Sequence, residues 1–416
     1  MKLLLINPPS PFLEHSKCEP PLGLLYLAGA VEVNHPDVQV KILDLGDTSE
    51  YEYVLLQTIS KLQPDIVGVT CVTPQYKHAK HVCSIVRSNS KALLIVGGPH
   101  VSCLPTSLPA DCVVTGPGEQ ALCEIIRVLK LGKQPDTSYM GFKFLPLTHP
   151  YWYPSRSLID LGAYSRRVGG LPATTMITSW GCPSNCHYCA KTVWKKFKLF
   201  PADYVCKELD DLSKRFGFKA VLFVDDTFTY DVERLKLICA KTRSLGMIFR
   251  CWTRVDCVTP EVLKVLKDGG CVEISFGIES GSQKLLDVMN KQTTVEQNRQ
   301  ALTWAKESGI VTKAFLMVGI PGETRETVEE TKRLIAQCDP DQFILSTFTP
   351  IVGSPVWFDP ERYGIVGFDR WDFEHQWEVG NDAQGGVLIN TKWLSSNELQ
   401  QVHDELLEFL QKRKER

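Results

Sequence analysis

The sequence predicts an α/β protein of two domains: a doubly wound parallel sheet, then a second unit of alternating strands and helices, closed by a short aromatic and helical extension. Three observations predict it. Apolar strands alternate with amphipathic stretches over residues 1 to about 130, the pattern of a parallel sheet covered on both faces. The alternation stops at a proline-bearing stretch and resumes at Ala173. A length of 416 residues is enough for two separate cores and an extension. The expected boundaries are 1–134 and 173–355 for the two domains, 135–172 for a linker and 356–416 for the extension.

In the first domain the strands fall at Lys2–Asn7, Val38–Asp44, Ile66–Thr70, Ala92–Gly97 and Cys112–Thr115. Between or after them lie the helical stretches Leu22–Val33, Glu52–Leu62, Tyr76–Ser88 and Glu119–Leu129. The opening Met1-Lys2-Leu3-Leu4-Leu5-Ile6-Asn7-Pro8 is apolar for only a few residues before a turn, which suits a buried first strand rather than a signal peptide. Ligands of doubly wound sheets sit at the carboxyl ends of the strands. Here those ends read Asn7-Pro8-Pro9-Ser10, Thr70-Cys71-Val72-Thr73-Pro74, Gly97-Gly98-Pro99-His100 and Gly116-Pro117-Gly118-Glu119. Glycine at such ends lets the backbone come close to a bulky ligand, although a lone Gly-Gly is more often just a tight turn.

Residues 131–172 carry Pro135, Pro146, Pro150, Pro154 and Pro172 with little periodicity, which reads as the linker. Beyond it, Thr174–Ser179, Ala220–Asp225, Ile248–Trp252, Val272–Gly277, Thr312–Val318 and Gln342–Thr347 read as strands with helices between them. After the first of these comes the most informative stretch of the chain, Gly181-Cys182-Pro183-Ser184-Asn185-Cys186-His187-Tyr188-Cys189. Three thiolates spaced C-x3-C-x2-C hold three irons of a [4Fe–4S] cube, whose all-protein form takes four cysteines. One iron is left open. A structural zinc knot or a redox pair is the plainer alternative, but zinc sites come in paired halves and no second half follows.

Composition limits the partners. A net charge of −2, with 44% hydrophobic residues, argues against an RNA-gripping protein, which would carry a basic patch. Lys195-Lys196-Phe197-Lys198 and the tail Lys412-Arg413-Lys414-Glu415-Arg416 read as solvated surface. No apolar run approaches a membrane span, so neither nucleic acid nor membrane is expected as a partner. Fifteen cysteines with no export signal suggest a reducing cytoplasm, and an oxygen-sensitive cluster fits an anaerobic setting.

The cysteine loop resembles the signature of the radical S-adenosylmethionine (SAM) enzymes, and the glycine-bearing strand ends upstream of it are similar to their cobalamin-binding branch. The resemblance implies a partial (β/α)6 barrel for the second domain, with the cluster on Cys182, Cys186 and Cys189, SAM on the open iron and Tyr188 against the adenine. It places the SAM amino group near Asp225 and Asp226, followed by Arg254. Glu279 and Ser280 would face the ribose and carboxylate, and Gly319 and Pro321 of Val318-Gly319-Ile320-Pro321-Gly322-Glu323-Thr324 would pack on adenine. In the first domain it implies cobalamin with its tail near Thr70, Thr73, Gly97 and Gly98. Asn7, Pro8, His100, Gly116, Gly118 and Glu119 would lie around the same cofactor. Many cobalamin proteins carry Asp-x-His-x-x-Gly after the first strand; Asn7-Pro8-Pro9-Ser10-Pro11-Phe12 has no histidine there, so the cobalt is expected base-off. His15 and His100 are the alternatives as ligands, and a polar contact to the corrin or tail suits them better.

The activity this implies is C-methylation: a methyl passes from SAM through methylcobalamin to an unactivated sp3 carbon after a 5′-deoxyadenosyl radical has removed hydrogen. An external donor such as ferredoxin or flavodoxin would supply electrons. The short extension suggests an open site and a protein or peptide acceptor, such as a glutamine or arginine of methyl-coenzyme M reductase; small molecules are the alternative. A non-methylating ring-forming or oxidative enzyme, or a non-catalytic cobalamin-binding protein, are the rival readings. In the extension, Trp357, Phe358, Tyr363, Phe368, Trp371, Phe373, Trp377 and Trp393 read as a satellite core ending in a helix over Ser395–Lys412.

Overall fold

The computed structural model describes residues 1–10, 17–46, 49–141, 152–371, 387 and 389–414; Pro11, Phe12, His15, Pro146, Pro150, Phe373 and Trp377 lie outside them. Two compact units divide the chain, Met1–Arg166 with Thr192–Lys195, and Arg167–Lys191 with Lys196–Arg416.

Strands β1 (Lys2–Asn7), β2 (Gln39–Asp44), β3 (Ile66–Thr70), β4 (Leu93–Gly97), β5 (Cys112–Thr115) and β6 (Ser138–Met140) build the first sheet. Their order is β2-β1-β3-β4-β5-β6, with every pair parallel. Helices α1 (Leu22–Asn34), α2 (Tyr51–Leu62), α3 (Tyr76–Asn89), α4 (Pro99–Cys103) and α5 (Glu119–Lys130) connect them. The unbroken apolar run of β1 is explained by burial on both faces. Leu3 and Leu5 pack with Leu25 and Ala28 of α1 and Ile125 of α5, while Leu4 and Ile6 pack with Leu55 of α2 and Val82 of α3. The chain reverses direction across the sheet between β1 and β3, and a crevice for a ligand opens at such a switch point.

The stretch expected as a linker takes part in this unit. Its residues Ser138–Met140 form the sixth strand, paired with β5. Further on, the Ser155 amide donates to the Leu25 carbonyl at 2.9 Å and the Tyr164 hydroxyl to Asp44 at 2.7 Å. Gly29 on α1 is the imprint of this crossing, since a Cβ there would stand 1.9 Å from the Tyr153 carbonyl oxygen. Prolines interrupt periodicity without preventing extended chain from docking, which is why composition alone reads as a linker.

The second unit contains β7 (Arg167–Val168), β8 (Leu171–Met176), β9 (Ser179–Trp180), β10 (Lys198–Leu199), α6 (Ala202–Lys214), β11 (Ala220–Phe223), α7 (Val232–Ser244), β12 (Ile248–Thr253) and α8 (Pro260–Asp268). It continues with β13 (Cys271–Glu279), α9 (Gln283–Val288), α10 (Val295–Glu307), β14 (Val311–Val318), α11 (Arg325–Cys338) and β15 (Gln342–Thr347). The open sheet runs β15-β14-β13-β12-β11-β8-β7, parallel except for the β7–β8 hairpin. This is the partial barrel. Phe223, Phe249, Cys251, Ile274, Phe276, Ala314 and Leu316 fill its helix-covered face and are at most 1% exposed. Arg250, Trp252, Lys313, Phe315 and Met317, on the opposite, concave face, are only half-buried.

The first barrel strand ends earlier than the sequence suggests, at Met176. Asp225, just past β11, accepts from the Thr178 amide at 3.0 Å and from the Thr178 and Ser179 hydroxyls. That capture turns the chain out of the sheet into β9, which pairs antiparallel with β10 and frames the three-cysteine loop. Beyond β15 come α12 (Pro355–Phe358), β16 (Ile365–Gly367), β17 (Asn390–Thr391) and the C-terminal helix Ser396–Lys414. Phe348, Val356, Ile365, Ile389 and Leu399 form an apolar cluster with Leu285, Met289 and Ile320. Of the aromatic residues expected there, Trp357 is buried, whereas Phe358, Trp371 and Trp393 are exposed.

Candidate functional site

The three-cysteine loop is held from both sides. The His187 amide donates to the Met289 carbonyl at 2.8 Å, and the Val356 amide to the His187 carbonyl at 3.3 Å. Within the loop the Cys189 amide donates to the Cys186 carbonyl at 3.2 Å. Cys182 Sγ lies 3.6 Å from the Thr227 hydroxyl, and Arg254 Nη1 lies 3.7 Å from Cys186 Sγ. Arg254 is fixed by a two-pronged pair with Asp256 at 2.8 and 2.9 Å and by the Lys291 carbonyl at 2.9 Å. A buried guanidinium beside a thiolate supplies the positive charge that a cluster carrying three thiolates needs. Among the described residues no three His, Cys, Asp or Glu side chains converge closely enough for a single ion; the corners of an iron–sulfur cube stand wider apart than the ligands of one ion. Three thiols, a nearby cation and no fourth cysteine in the loop form a donor set that fits a cluster with one open iron.

Tyr188, next to the third cysteine, meets the end of β13. Its hydroxyl donates to Glu279 Oε1 at 3.0 Å, and Lys291 Nζ donates to the same oxygen at 2.6 Å and to the Tyr188 hydroxyl at 2.9 Å. Burial, then the Glu279 charge, holds the Tyr188 phenol well above its usual value. Glu279 adopts φ +62° after an irregularity in the β13–β14 pairing. A side chain at Gly277 would collide with this network, its Cβ lying 2.5 Å from Glu279 Oε1 and 2.9 Å from Lys291 Nζ. Left-handed backbone at a residue other than glycine persists only where its surroundings impose it; here a buried ion pair does so.

The other residues expected around SAM divide into those turned inward and those left available. Asp225 is consumed by Thr178 and Ser179, and burial pushes its carboxyl up to about 6. Asp226, its neighbour, is exposed. The Ser280 hydroxyl lies 3.2 Å from the Thr331 hydroxyl and accepts from the Ser282 amide at 3.1 Å, pinning the turn after β13 to α11. Gly319 has φ +92°, and its amide donates to Glu323, whose burial pushes the carboxyl up to about 8. Pro321 is buried in the same turn. The sequence reading did not single out Lys291, Asp256 or Thr227. A lysine or aspartate gains meaning here only through partners brought together by the fold.

In the first unit the strand ends also draw together. Gln75 donates to Asn7 Oδ1 at 3.1 Å, the Pro8 carbonyl at 2.9 Å and the Ser10 hydroxyl at 2.8 Å, joining the ends of β1 and β3 at the switch point. Asn7 in turn donates to Asp44 at 2.8 Å. Gly98, at φ +98°, lies so close to β3 that a Cβ would stand 2.7 Å from the Thr70 hydroxyl and 2.9 Å from the Cys71 amide nitrogen. Gly97 precedes it at the end of β4. His100 is buried, with Nδ1 3.2 Å from the Thr73 hydroxyl and its ring 4.9 Å from Tyr76. Burial pushes the imidazole down to about 4, so it is neutral. The Gly116 amide donates to the Ser102 hydroxyl at 2.9 Å, and Gly118 caps α5 ahead of Glu119. Burial pushes the Glu119 carboxyl up to about 7. Close-packed backbone, a neutral imidazole and polar side chains form a cradle that fits a nucleotide-like tail.

Comparison with known proteins agrees with both halves. The Radical SAM superfamily model matches residues 176–335, and the B12 binding domain model matches residues 14–126. An uncharacterized methyltransferase of Pyrococcus horikoshii, PH0819, is 31% identical over 391 residues, covering 86% of this chain and 82% of the relative. An anaerobic magnesium-protoporphyrin IX monomethyl ester cyclase of Rubrivivax gelatinosus is 27% identical over 386 residues, covering 85% and 69%. Among solved structures, the radical SAM methyltransferase TsrM of Kitasatospora setae, with cobalamin and a [4Fe–4S] cluster bound, superimposes with a TM-score of 0.74. The match covers 99% of this chain and 88% of TsrM at 17% identity, a likeness of fold.

Proposed function

The chain belongs to the cobalamin-dependent radical SAM methyltransferase family, and from that premise we propose that it methylates an unactivated sp3 carbon of its substrate. Its cofactors are a [4Fe–4S] cluster, SAM and cobalamin. When bound, cluster and SAM supply a 5′-deoxyadenosyl radical that takes a hydrogen atom from the substrate carbon, and cobalamin supplies the methyl that replaces it, with electrons from a donor such as ferredoxin or flavodoxin.

The observation that carries this reading is the network around the cysteine loop. Cys182, Cys186 and Cys189 hold the cluster. Arg254, locked by Asp256, places its charge beside Cys186. Lys291 and Glu279 fix the Tyr188 hydroxyl, so the ring beside the third cysteine is a preset wall for the adenine. Asp226 is the carboxylate left to meet the SAM amino group, and the turn at Gly319 and Pro321 is the adenine floor. In the first unit, Thr70, Thr73, Gly97, Gly98 and His100 take the cobalamin tail, with Asn7, Pro8, Gly116, Gly118 and Glu119 around it. The helix-covered barrel strands keep this chemistry on a rigid, dry frame.

The acceptor in this proposal is a residue of a protein or peptide, with glutamine and arginine the first to test. The reconstituted enzyme, given SAM labelled with deuterium in its methyl group and peptides carrying either residue, is expected to yield a peptide heavier by one labelled methyl. Label found only in SAM, methionine or methylcobalamin, with every peptide unchanged, would refute a peptide acceptor. The cyclase relative at 27% identity supports a second reading, oxidation of the substrate without methyl transfer, which the same experiment would show as loss of substrate hydrogen without label.

A further inference from the structure

The turn after β11 sets a hydroxyl against the first cysteine of the loop. Thr227 is wholly buried, and its Oγ1 lies 3.6 Å from Cys182 Sγ and 2.8 Å from the Asp226 carbonyl oxygen, to which it donates. The two residues after it fix its backbone. The Phe228 amide donates to the Trp252 carbonyl at 3.1 Å, and the Phe228 ring stacks on Phe223 with centroids 4.3 Å apart. Thr229 Oγ1 donates to the Cys257 carbonyl at 2.7 Å and stands 2.6 Å from the Thr253 hydroxyl. The turn is thereby tied to β12 and to the residues just beyond it. Thr227 is also β-branched and stiff at χ1, so its hydroxyl is held facing Cys182.

A hydroxyl has one proton to give and two lone pairs with which to accept. While Cys182 is a thiol, its proton satisfies Thr227 Oγ1 as Thr227 donates to the Asp226 carbonyl. Iron takes the place of the thiol proton, and the sulfur is then an acceptor only. We propose that Thr227 is a positioning residue of the cluster, whose hydroxyl turns to donate to the Cys182 sulfur and makes the cluster easier to reduce. This rests on the reading of Cys182 as a cluster ligand. Reduction adds one negative charge, and a hydrogen bond to sulfur is stronger where the sulfur carries more charge; the bond therefore favours the reduced state and raises the potential. Arg254 acts on Cys186 as a full positive charge. Thr227 acts on a different sulfur and brings no charge into the buried turn.

The test is an EPR-monitored redox titration of the anaerobically reconstituted protein, without SAM or substrate, in the wild type, Thr227→Val and Thr227→Ser, with iron and sulfide counted in each. Valine keeps the branched shape and removes only the hydroxyl, whereas serine keeps the hydroxyl. Thr227→Val is expected to shift the reduction equilibrium about fivefold toward the oxidised cluster, the weight of one hydrogen bond. That is roughly 40 mV more negative, at 59 mV per tenfold for one electron. Thr227→Ser should stay within about twofold of the wild type. A valine variant that holds a full cluster at the wild-type potential, or a serine variant displaced as far as the valine one, would overturn the proposal. Where valine prevents cluster assembly, the wild type decides by resonance Raman in deuterated water. A shift of its iron–sulfur stretching bands supports a proton on the sulfur, and unmoved bands overturn it. A wild-type protein that binds no iron would refute the reading of the cysteine loop itself, a failure distinct from these.

Discussion

Replacing Lys291 by methionine removes the cation from the pair that ties the cluster loop to β13. The two side chains, 5% and 11% exposed, are joined at 2.6 Å. At an effective dielectric of about 20, two unit charges at that separation attract by about 6 kcal/mol. Methionine recovers the desolvation of the ammonium, so the net loss is smaller, about 3–5 kcal/mol, the usual consequence of leaving one member of a buried pair uncompensated. The cost concentrates on Glu279, which keeps the Tyr188 hydroxyl as a donor but loses the group that imposes its φ of +62°. Urea unfolding of the apo-protein at pH 7 should show the second unit destabilised by that amount, and Glu279→Gln in the same chain should restore at least about 1.5 kcal/mol as coupling. Release of 5′-deoxyadenosine should fall as well, because Tyr188 keeps only one of its two hydroxyl partners. A change below about 0.5 kcal/mol in the single variant, the range of an ordinary surface substitution, would refute the view that this pair braces the loop.

Further outcomes follow from other contacts. Gly98→Ala puts a Cβ within 2.7 Å of the Thr70 hydroxyl at a positive φ, so cobalamin affinity, measured by absorbance titration, should drop at least about tenfold, near 1.4 kcal/mol. Arg254→Met removes the positive charge 3.7 Å from Cys186 Sγ; the reduced cluster carries more negative charge, so its potential should move negative by on the order of 50 mV in an EPR-monitored redox titration. The buried Glu323 carboxyl, raised from 4.5 to about 8, is protonated in the folded chain where the unfolded chain is already ionised. Its effect is to lower stability progressively as pH rises from about 4.5 to 8, by up to about 5 kcal/mol. Glu323→Gln should flatten that part of the stability–pH curve, and an unchanged slope in the variant would disprove the assignment.

Much of this architecture is legible in the residues because local signals and tertiary demands agree. The run Leu3-Leu4-Leu5-Ile6 could only be a strand buried on two faces, and β1, β3, β5 and β15 begin and end where their apolar runs do. The cysteine loop is legible for a different reason: its spacing is a chemical requirement that survives any choice of neighbours. What escaped lies in long-range pairing. Ser138–Met140 is too short to show alternation and becomes a strand only because β5 offers an open edge. Lys291 lies 12 residues from Glu279 and 103 from Tyr188, so no local pattern announces the network they share. Asp225 and Asp226 are indistinguishable as a dipeptide; the fold turns the first toward Thr178 and leaves the second exposed.

The central claim, methyl transfer by a radical route on this cysteine loop, is tested most directly by the products of SAM. Anaerobically reconstituted protein with cobalamin, reductant and a candidate substrate would be compared by mass spectrometry with its Cys186→Ala variant. Formation of both S-adenosylhomocysteine and 5′-deoxyadenosine, with the second lost in the variant, is the predicted result. Deoxyadenosine that persists in Cys186→Ala, or its absence from a wild-type protein that holds its full complement of iron, would contradict the account.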